Sequence, residues 1–176
     1  DGWRTLSGSS ETDPAWAAVY RSLDIISPWT VGRYSSLSGI NTWRTNFIEP
    51  DLAAATAAGA DYMPVIFPGF SWYNIHDGPL NQISRLGGEF YWRQAYNVVD
   101  SGCSMLYTAM FDEVDEGTAM YKMAETTADL PAGATMVPLD VDGIALPSDW
   151  YLQVGGEAAR MLRGEIPVQG TLPISP

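Results

Sequence analysis

The chain has 176 residues, enough for one domain with a sizeable core, and its 46% apolar content is that of a globular protein. Twenty-one acidic residues against nine basic ones give a net charge of −12. That field repels phosphate backbones and anionic lipid, which excludes nucleic acid and membrane surfaces as favoured partners, and no apolar run approaches the ~20 residues of a membrane span.

Seven Trp and nine Tyr are many for this length. Broad aromatic faces suit weakly charged, flat ligands such as sugar rings, and they equally suit core packing. Cys103 is the only cysteine, so there is neither an intrachain disulfide nor a thiolate zinc site, and the redox compartment stays open, an exported parent protein included. The start, Asp1-Gly2-Trp3-Arg4, lacks an initiator Met and any leader pattern, and reads as an incomplete end.

In chain order, Asp13-Pro14 is a helix start, and Trp16, Val19, Tyr20 and Leu23 carry the helical spacing that follows. Residues 24–31 form a short apolar run that predicts a buried strand. A second helix is predicted over 41–58, broken or restarted at Pro50 and capped by Gly59. A strand over 62–67 ends at Pro68-Gly69 and leads into a long loop to about Gly88, of a length that is usually functional.

A third helix spans 89–101, spaced by Phe90, Arg93, Gln94 and Asn97 and stopped by Gly102. A third strand is predicted over 105–111, with an acidic segment, Asp112 to Glu116, at its end. A fourth strand is expected at 136–140, then a last helix from Ser148 or Asp149 to about Arg163, and an extended Pro-rich tail from about 165. Alternating strands and helices predict an α/β fold of parallel (β/α) units in a single domain over 1–176, its strands in sequential order. Four units fit either a small open sheet or half of a barrel.

In either architecture ligands bind at the C-terminal ends of the strands. Four clusters fall there: Trp29 with Arg33 and Tyr34; Phe70, Trp72, Tyr73, Asn74 and His76; Asp112, Glu113, Asp115 and Glu116; and Asp140 with Asp142. Aromatic residues stack on sugar faces, while Asn, His and Arg hydrogen-bond hydroxyls. Glu113 and Glu116, three apart, project from one face of a helical turn. Two carboxylates held together have their pKa values pushed apart, the division into acid and base that glycosidic cleavage needs. The same segment also reads as a solvated acidic loop, as a helix N-terminus, or as a carboxylate site for Ca²⁺ or Mg²⁺ outside the EF-hand pattern. His76, the only histidine, has no His or Cys partner for a transition metal or a triad, and Gly87-Gly88 is not a phosphate loop.

The run Met110-Phe111-Asp112-Glu113-Val114-Asp115-Glu116-Gly117-Thr118 resembles the Phe-Asn-Glu-Trp-His-Glu-Gly-Thr signature of glycoside hydrolase family 99, the endo-α-mannosidase family. Pro68-Gly69-Phe70 resembles that family's Pro-Gly-Tyr, and the run from Asn81 through Arg85 to Gly88, Phe90 and Tyr91 resembles its Asn-Thr-Arg…Gly-x-Tyr-Tyr. The segments around Ser27–Tyr34 and Phe67–Trp72 are similar in wording to bacterial family 71/99-like proteins.

The resemblance, over roughly 24–120, implies a TIM-type (β/α)8 barrel of which this chain is the C-terminal half, strands five to eight. It implies a retaining glycosidase acting on a poly- or oligosaccharide, part of a longer protein, with no cofactor and no metal. Glu113 falls on the base that deprotonates the sugar's 2-hydroxyl for attack on the anomeric carbon, and Glu116 on the acid/base that protonates the leaving oxygen and later activates water. Trp29, Arg33, Tyr34, Phe70, Trp72, Tyr73, Asn74, His76, Arg85, Asp112 and Asp115 are the expected substrate contacts. Carbohydrate, and either the N-terminal half-barrel or a second copy of the chain, are the expected partners. The family's Asn, Trp and His are replaced here by Asp112, Val114 and Asp115, and Trp29 aligns with a family tyrosine. Those replacements leave a non-catalytic carbohydrate-binding protein of this fold as the alternative, with a carboxylate metal site in a structural domain as the third.

Overall fold

The computed structural model describes residues 2–176; Asp1 lies outside the described residues. Four short strands form two parallel pairs. β1 (Ile25–Ile26) pairs with β2 (Asp61–Tyr62), and β3 (Val65–Ile66) pairs with β4 (Tyr107–Thr108). β2 and β3 are two parts of one extended segment interrupted at Met63-Pro64. Its left half lies on β1, where Met63 N donates to Ile26 O at 2.9 Å, and its right half lies on β4, where Tyr107 N donates to Pro64 O at 2.9 Å. For the first three of the four expected strands the order is therefore the sequential one, and proline, which has no N–H to give, divides the ladder.

The ladder is shorter than predicted because side chains take over from it. β1 ends at Ile26, and past it Ser27 Oγ donates to Met63 O at 2.8 Å and, after Pro28, Thr30 Oγ1 to Val65 O at 2.7 Å. The expected fourth strand is absent. Residues 136–138 form no ladder, and after an extended Pro138 the segment Leu139–Asp142 turns into a 3-10 helix. Leu139 N and Asp140 N donate to Ala124 O and Glu125 O at 3.0 Å each, so the donors that would have met β4 are spent on a neighbouring loop, and Pro138 has none.

The helices are α1 (Trp16–Arg21), α2 (Leu37–Trp43), α3 (Glu49–Ala58), α4 (Tyr73–His76), α5 (Glu89–Asp100) and α6 (Trp150–Leu162). The helix predicted over 41–58 starts earlier, at the Ser36 cap, and contains a π-helical stretch, Arg44–Ile48, just before Pro50. Pro50 cannot donate to Asn46 O, which accepts from Arg4 Nη2 at 3.3 Å instead. Gly59, at φ +76°, ends α3 in the left-handed conformation that glycine adopts without strain. α3 packs against β2, and α5 lies against β3 between α2 and α6.

Along the strands, Ile26, Tyr62 and Ile66 enter the core with Tyr91, Trp92, Ala95, Trp150 and Val154. The alternating residues Ile25 and Tyr107 are 45% and 49% exposed. Ile166, Leu172 and Ile174 of the tail pack on the same core, and Trp92 Nε1 donates to Gln169 O at 3.1 Å. Cys103 is buried, which pushes its thiol up to about 11. Among the described residues, no helix is long and apolar enough to cross a membrane.

One buried side chain ties α5 to the end of β3. Gln94 Oε1 accepts from Phe67 N at 3.1 Å and from Tyr34 Oη at 2.9 Å, while its Nε2 donates to Phe67 O at 2.7 Å and Phe90 O at 2.9 Å. Every polar atom of the amide is used. Gln94→Leu keeps the volume but strands the Phe67 and Tyr34 groups inside the core, and is expected to lower the unfolding free energy by about 3 kcal/mol. Urea unfolding of the two proteins measures this; a loss under about 0.5 kcal/mol contradicts it.

Candidate active site

The acidic segment leaves β4 as a closed loop. Met120 N and Tyr121 N both donate to Phe111 O, at 2.8 and 3.2 Å, so Phe111 and Tyr121 form its stem. Inside it, Val114 N reaches Asp112 O at 2.8 Å, Gly117 N reaches Val114 O at 3.2 Å, and Thr118 N reaches Glu113 O at 3.1 Å. These are turns and not a helix, so the expected helical turn is replaced by a tighter fold. Gly117 makes it possible: at φ +63° a Cβ would lie 2.9 Å from Val137 Cγ2 and 3.1 Å from Ser71 Cβ.

Within the loop, Glu113 and Glu116 are half-buried, whereas Asp112 and Asp115 are exposed. The Glu116 carboxyl is held above the ordinary glutamate range, first by partial burial and then by the negative charges of Glu113 and Asp115. A carboxyl in that state keeps a proton further up the pH scale and can donate it, which is the property required of an acid catalyst.

The aromatic loop is joined to this segment. It begins and ends at the Phe70–Ile83 antiparallel bridge. Gly69 sits at its base, where a Cβ would meet Ile83 O at 2.8 Å and Arg85 Cγ at 2.7 Å. Ser71 N donates to Glu116 O at 2.7 Å, and Asn74 Nδ2 donates to Asp115 O at 2.9 Å. Trp72 packs in tilted contact against His76, ring centroids 5.4 Å apart, and against Phe70, 4.4 Å apart. A Cβ on Gly32 would touch Trp72 at 3.4 Å, so the loop after β1 borders the same region. Tyr73 and His76 are exposed, as is Arg33, which donates to Ser9 Oγ.

Other residues singled out from the sequence are placed elsewhere. Tyr34 and Phe70 are buried, and burial raises the Tyr34 phenol well above its usual value. Trp29, 48% exposed, walls a cavity of about 310 Å³ with Trp3, Tyr20, Leu23 and Ser27. Arg85 is 2% exposed; its guanidinium lies 4.5 Å over the Tyr151 ring and Nη1 donates to Ala119 O at 2.8 Å, which braces the far stem of the acidic loop from behind. Burial lowers the Arg85 pKa, while Tyr151 and Asp142 favour its charge.

Asp142 is a fastener. Its Oδ1 accepts from Asn81 Nδ2 at 2.8 Å and Ser84 Oγ at 2.7 Å, and its Oδ2 from Leu86 N at 2.8 Å. Among the described residues, no three His, Cys, Asp or Glu side chains are grouped to hold a metal ion. The sequence does not mark out Phe111 and Tyr121, whose rings lie 5.9 Å apart, 59% and 36% exposed, at the stem of the acidic loop. Phe111 read as strand core, and nothing short of the loop closure reveals its exposure.

No protein-family model matches the sequence, and no curated protein matches it. Solved structures do match the fold. Two structures of the GH99 endo-alpha-mannosidase from Bacteroides thetaiotaomicron, one in complex with bis-tris-propane, superpose with a TM-score of 0.63 at 17% identity over 81% of this chain. The chain spans about two fifths of their length, 41% and 39% respectively.

The raised Glu116 pKa has a consequence for stability. A group bound more tightly to its proton when folded favours folding below its unfolded pKa of about 4.3, and that contribution is lost as pH rises through the folded value. Glu116→Gln removes a charge the folded state disfavours. It is expected to melt no lower than the parent at pH 7, with its relative advantage shrinking as the pH is brought to about 4. Thermal unfolding at both pH values tests this, and a variant that melts clearly lower at pH 7 contradicts the assignment.

Proposed function

We propose that this chain is the C-terminal half of a (β/α)8-barrel glycosidase and carries its two working carboxylates, Glu113 and Glu116. The observation that carries the reading is the pair itself: half-buried glutamates in one tight loop at the C-terminal end of a parallel strand, one of them with a raised pKa. The fold shared with the endo-alpha-mannosidase structures supports it, and so does the sequence resemblance around the same loop. The open outer edges of β1 and β4, with Ile25 and Tyr107 exposed beside them, are where further strands of a closed barrel, from the rest of a longer protein or from a second copy, would add.

The reaction is cleavage of a glycosidic bond in a poly- or oligosaccharide with retention of configuration. Glu116, protonated at the outset, donates to the leaving oxygen and then, as carboxylate, activates water. Glu113 takes the proton from the sugar's 2-hydroxyl as that oxygen attacks the anomeric carbon and the bond to the leaving oxygen breaks. The activated water then opens the 1,2-anhydro ring at the anomeric carbon and Glu113 returns its proton to the 2-oxygen, so no carboxylate is bonded to the sugar, unlike in the usual retaining scheme. Trp72, Tyr73 and His76 face the sugar from the aromatic loop, and Asp112 and Asp115 from the acidic loop itself. Arg33 stands on the loop after β1 that borders the same region, bonded to Ser9, while Trp29 walls a separate cavity and is left out of the surface. Tyr34, Phe70, Asn74 and Arg85 act behind that surface, since their side chains are buried or engaged with the chain's own backbone and side chains.

The test is made in the full-length protein with a panel of α-linked oligosaccharides and aryl glycosides. Glu113→Gln and Glu116→Gln are each expected to lower kcat/KM by ~10²–10⁴. An activated aryl leaving group restores much of the loss for Glu116→Gln and little for Glu113→Gln, because the 2-hydroxyl must still be deprotonated. A 2-deoxy substrate is inert with the parent. If both variants keep near-full activity on a substrate the parent hydrolyses, the assignment fails. If the parent binds oligosaccharide without turnover, the protein is a carbohydrate-binding relative of the fold.

A further inference from the structure

Asn74 offers two hydrogens, and both are placed on carbonyls far away in the chain. Its Nδ2 donates to Asp115 O at 2.9 Å and to Thr135 O at 2.9 Å. It stands on α4, a single turn supported by Trp72 O accepting from Ile75 N and His76 N, so its position follows from the aromatic loop. A short amide bridging the acidic loop and the 131–138 segment is the kind of polar contact that fixes two loops relative to each other, because each hydrogen has one partner and the geometry admits little slack.

We propose that Asn74 is a positioning residue, its amide pinning the Glu113–Glu116 loop between the aromatic loop and the 131–138 segment and so setting where the two glutamates point. This rests on the reading of Glu116 as the acid. Three contacts locate Glu116 from one side: Asn74 on the preceding carbonyl, Ser71 N on its own carbonyl at 2.7 Å, and Gly117 close against Ser71 and Val137. Of these only the Asn74 contact is made by a side chain on an exposed residue, and so only it can be removed without disturbing packing. The charged groups facing Glu116 are Glu113 and Asp115, both on its own loop; keeping that loop tight keeps them near.

The test reads the Glu116 carboxyl by carbon NMR across a pH titration, its signal identified by its absence from Glu116→Gln. In Asn74→Ala the loop relaxes, the carboxyl gains water and distance from Glu113, and its midpoint moves down toward the ordinary value of about 4.3. Amide exchange over 112–117 and 133–136 quickens in the same variant. Asn74→Leu, similar in size but without the hydrogens, gives the same shift and covers the case in which the alanine variant is too unstable to titrate. Asn74→Gln keeps two donors and recovers part of the parent midpoint. A Glu116 midpoint unchanged in Asn74→Ala and Asn74→Leu overturns the proposal. No substrate enters this measurement, so a clamp that holds while Glu116→Gln stays fully active refutes the catalytic reading alone, and the reverse outcome refutes the clamp alone.

Discussion

The buried amide of Gln94 is the contact on which the placement of the site depends. The parallel ladder stops at Ile66, and the next residue, Phe67, would otherwise carry an unpaired N–H and C=O into the core, a loss of about 1–3 kcal/mol for each group. Gln94 answers both with one side chain, as a neighbouring strand would have, and holds the Tyr34 phenol with the same oxygen. The chain that continues, Phe67 through Phe70, thereby leaves the sheet in a fixed direction. The aromatic loop, and through Ser71 N the acidic loop, inherit their positions from it.

A second theme is the use of side chains and irregular backbone where strands would be expected. Pro64 splits the central strand, Ser27 and Thr30 extend the contact of β1 with its neighbour, and Asp142 collects three donors from the segment leading into α5. Each is a local solution to the requirement that buried backbone and polar groups be paired. The glycines at the crowded positions serve the same end. Gly69 and Gly117 let one loop pass against another at distances no side chain allows.

Electrostatics then acts on Glu116. The chain is acidic throughout, and Glu116 is raised because it is partly withdrawn from water and then because Glu113 and Asp115 place like charges beside it. The rings nearest in the chain, Phe111 and Tyr121 on the stem of the loop, are uncharged and bring no counter-charge that would lower that pKa again.

The sequence by itself determined the α/β class, the parallel order of the first three strands, the ends of α3, α5 and α6, and the location of the acidic segment after a strand. Those features come from local causes: apolar periodicity, a glycine that takes φ > 0, a proline without a donor. It did not determine that 136–140 fails to pair with a strand, since Leu139 N and Asp140 N donate instead to Ala124 O and Glu125 O, carbonyls that only the tertiary structure brings there. Nor did it show that Arg85 and Tyr34 turn inward while Phe111 and Tyr121 turn out, or that Asn74 holds two loops of its own chain. An arginine, a tyrosine and an asparagine in loop sequence look alike whether they face a ligand or the backbone. Only the tertiary structure, by bringing distant carbonyls and rings within hydrogen-bonding and stacking distance, decides which partner each of them meets.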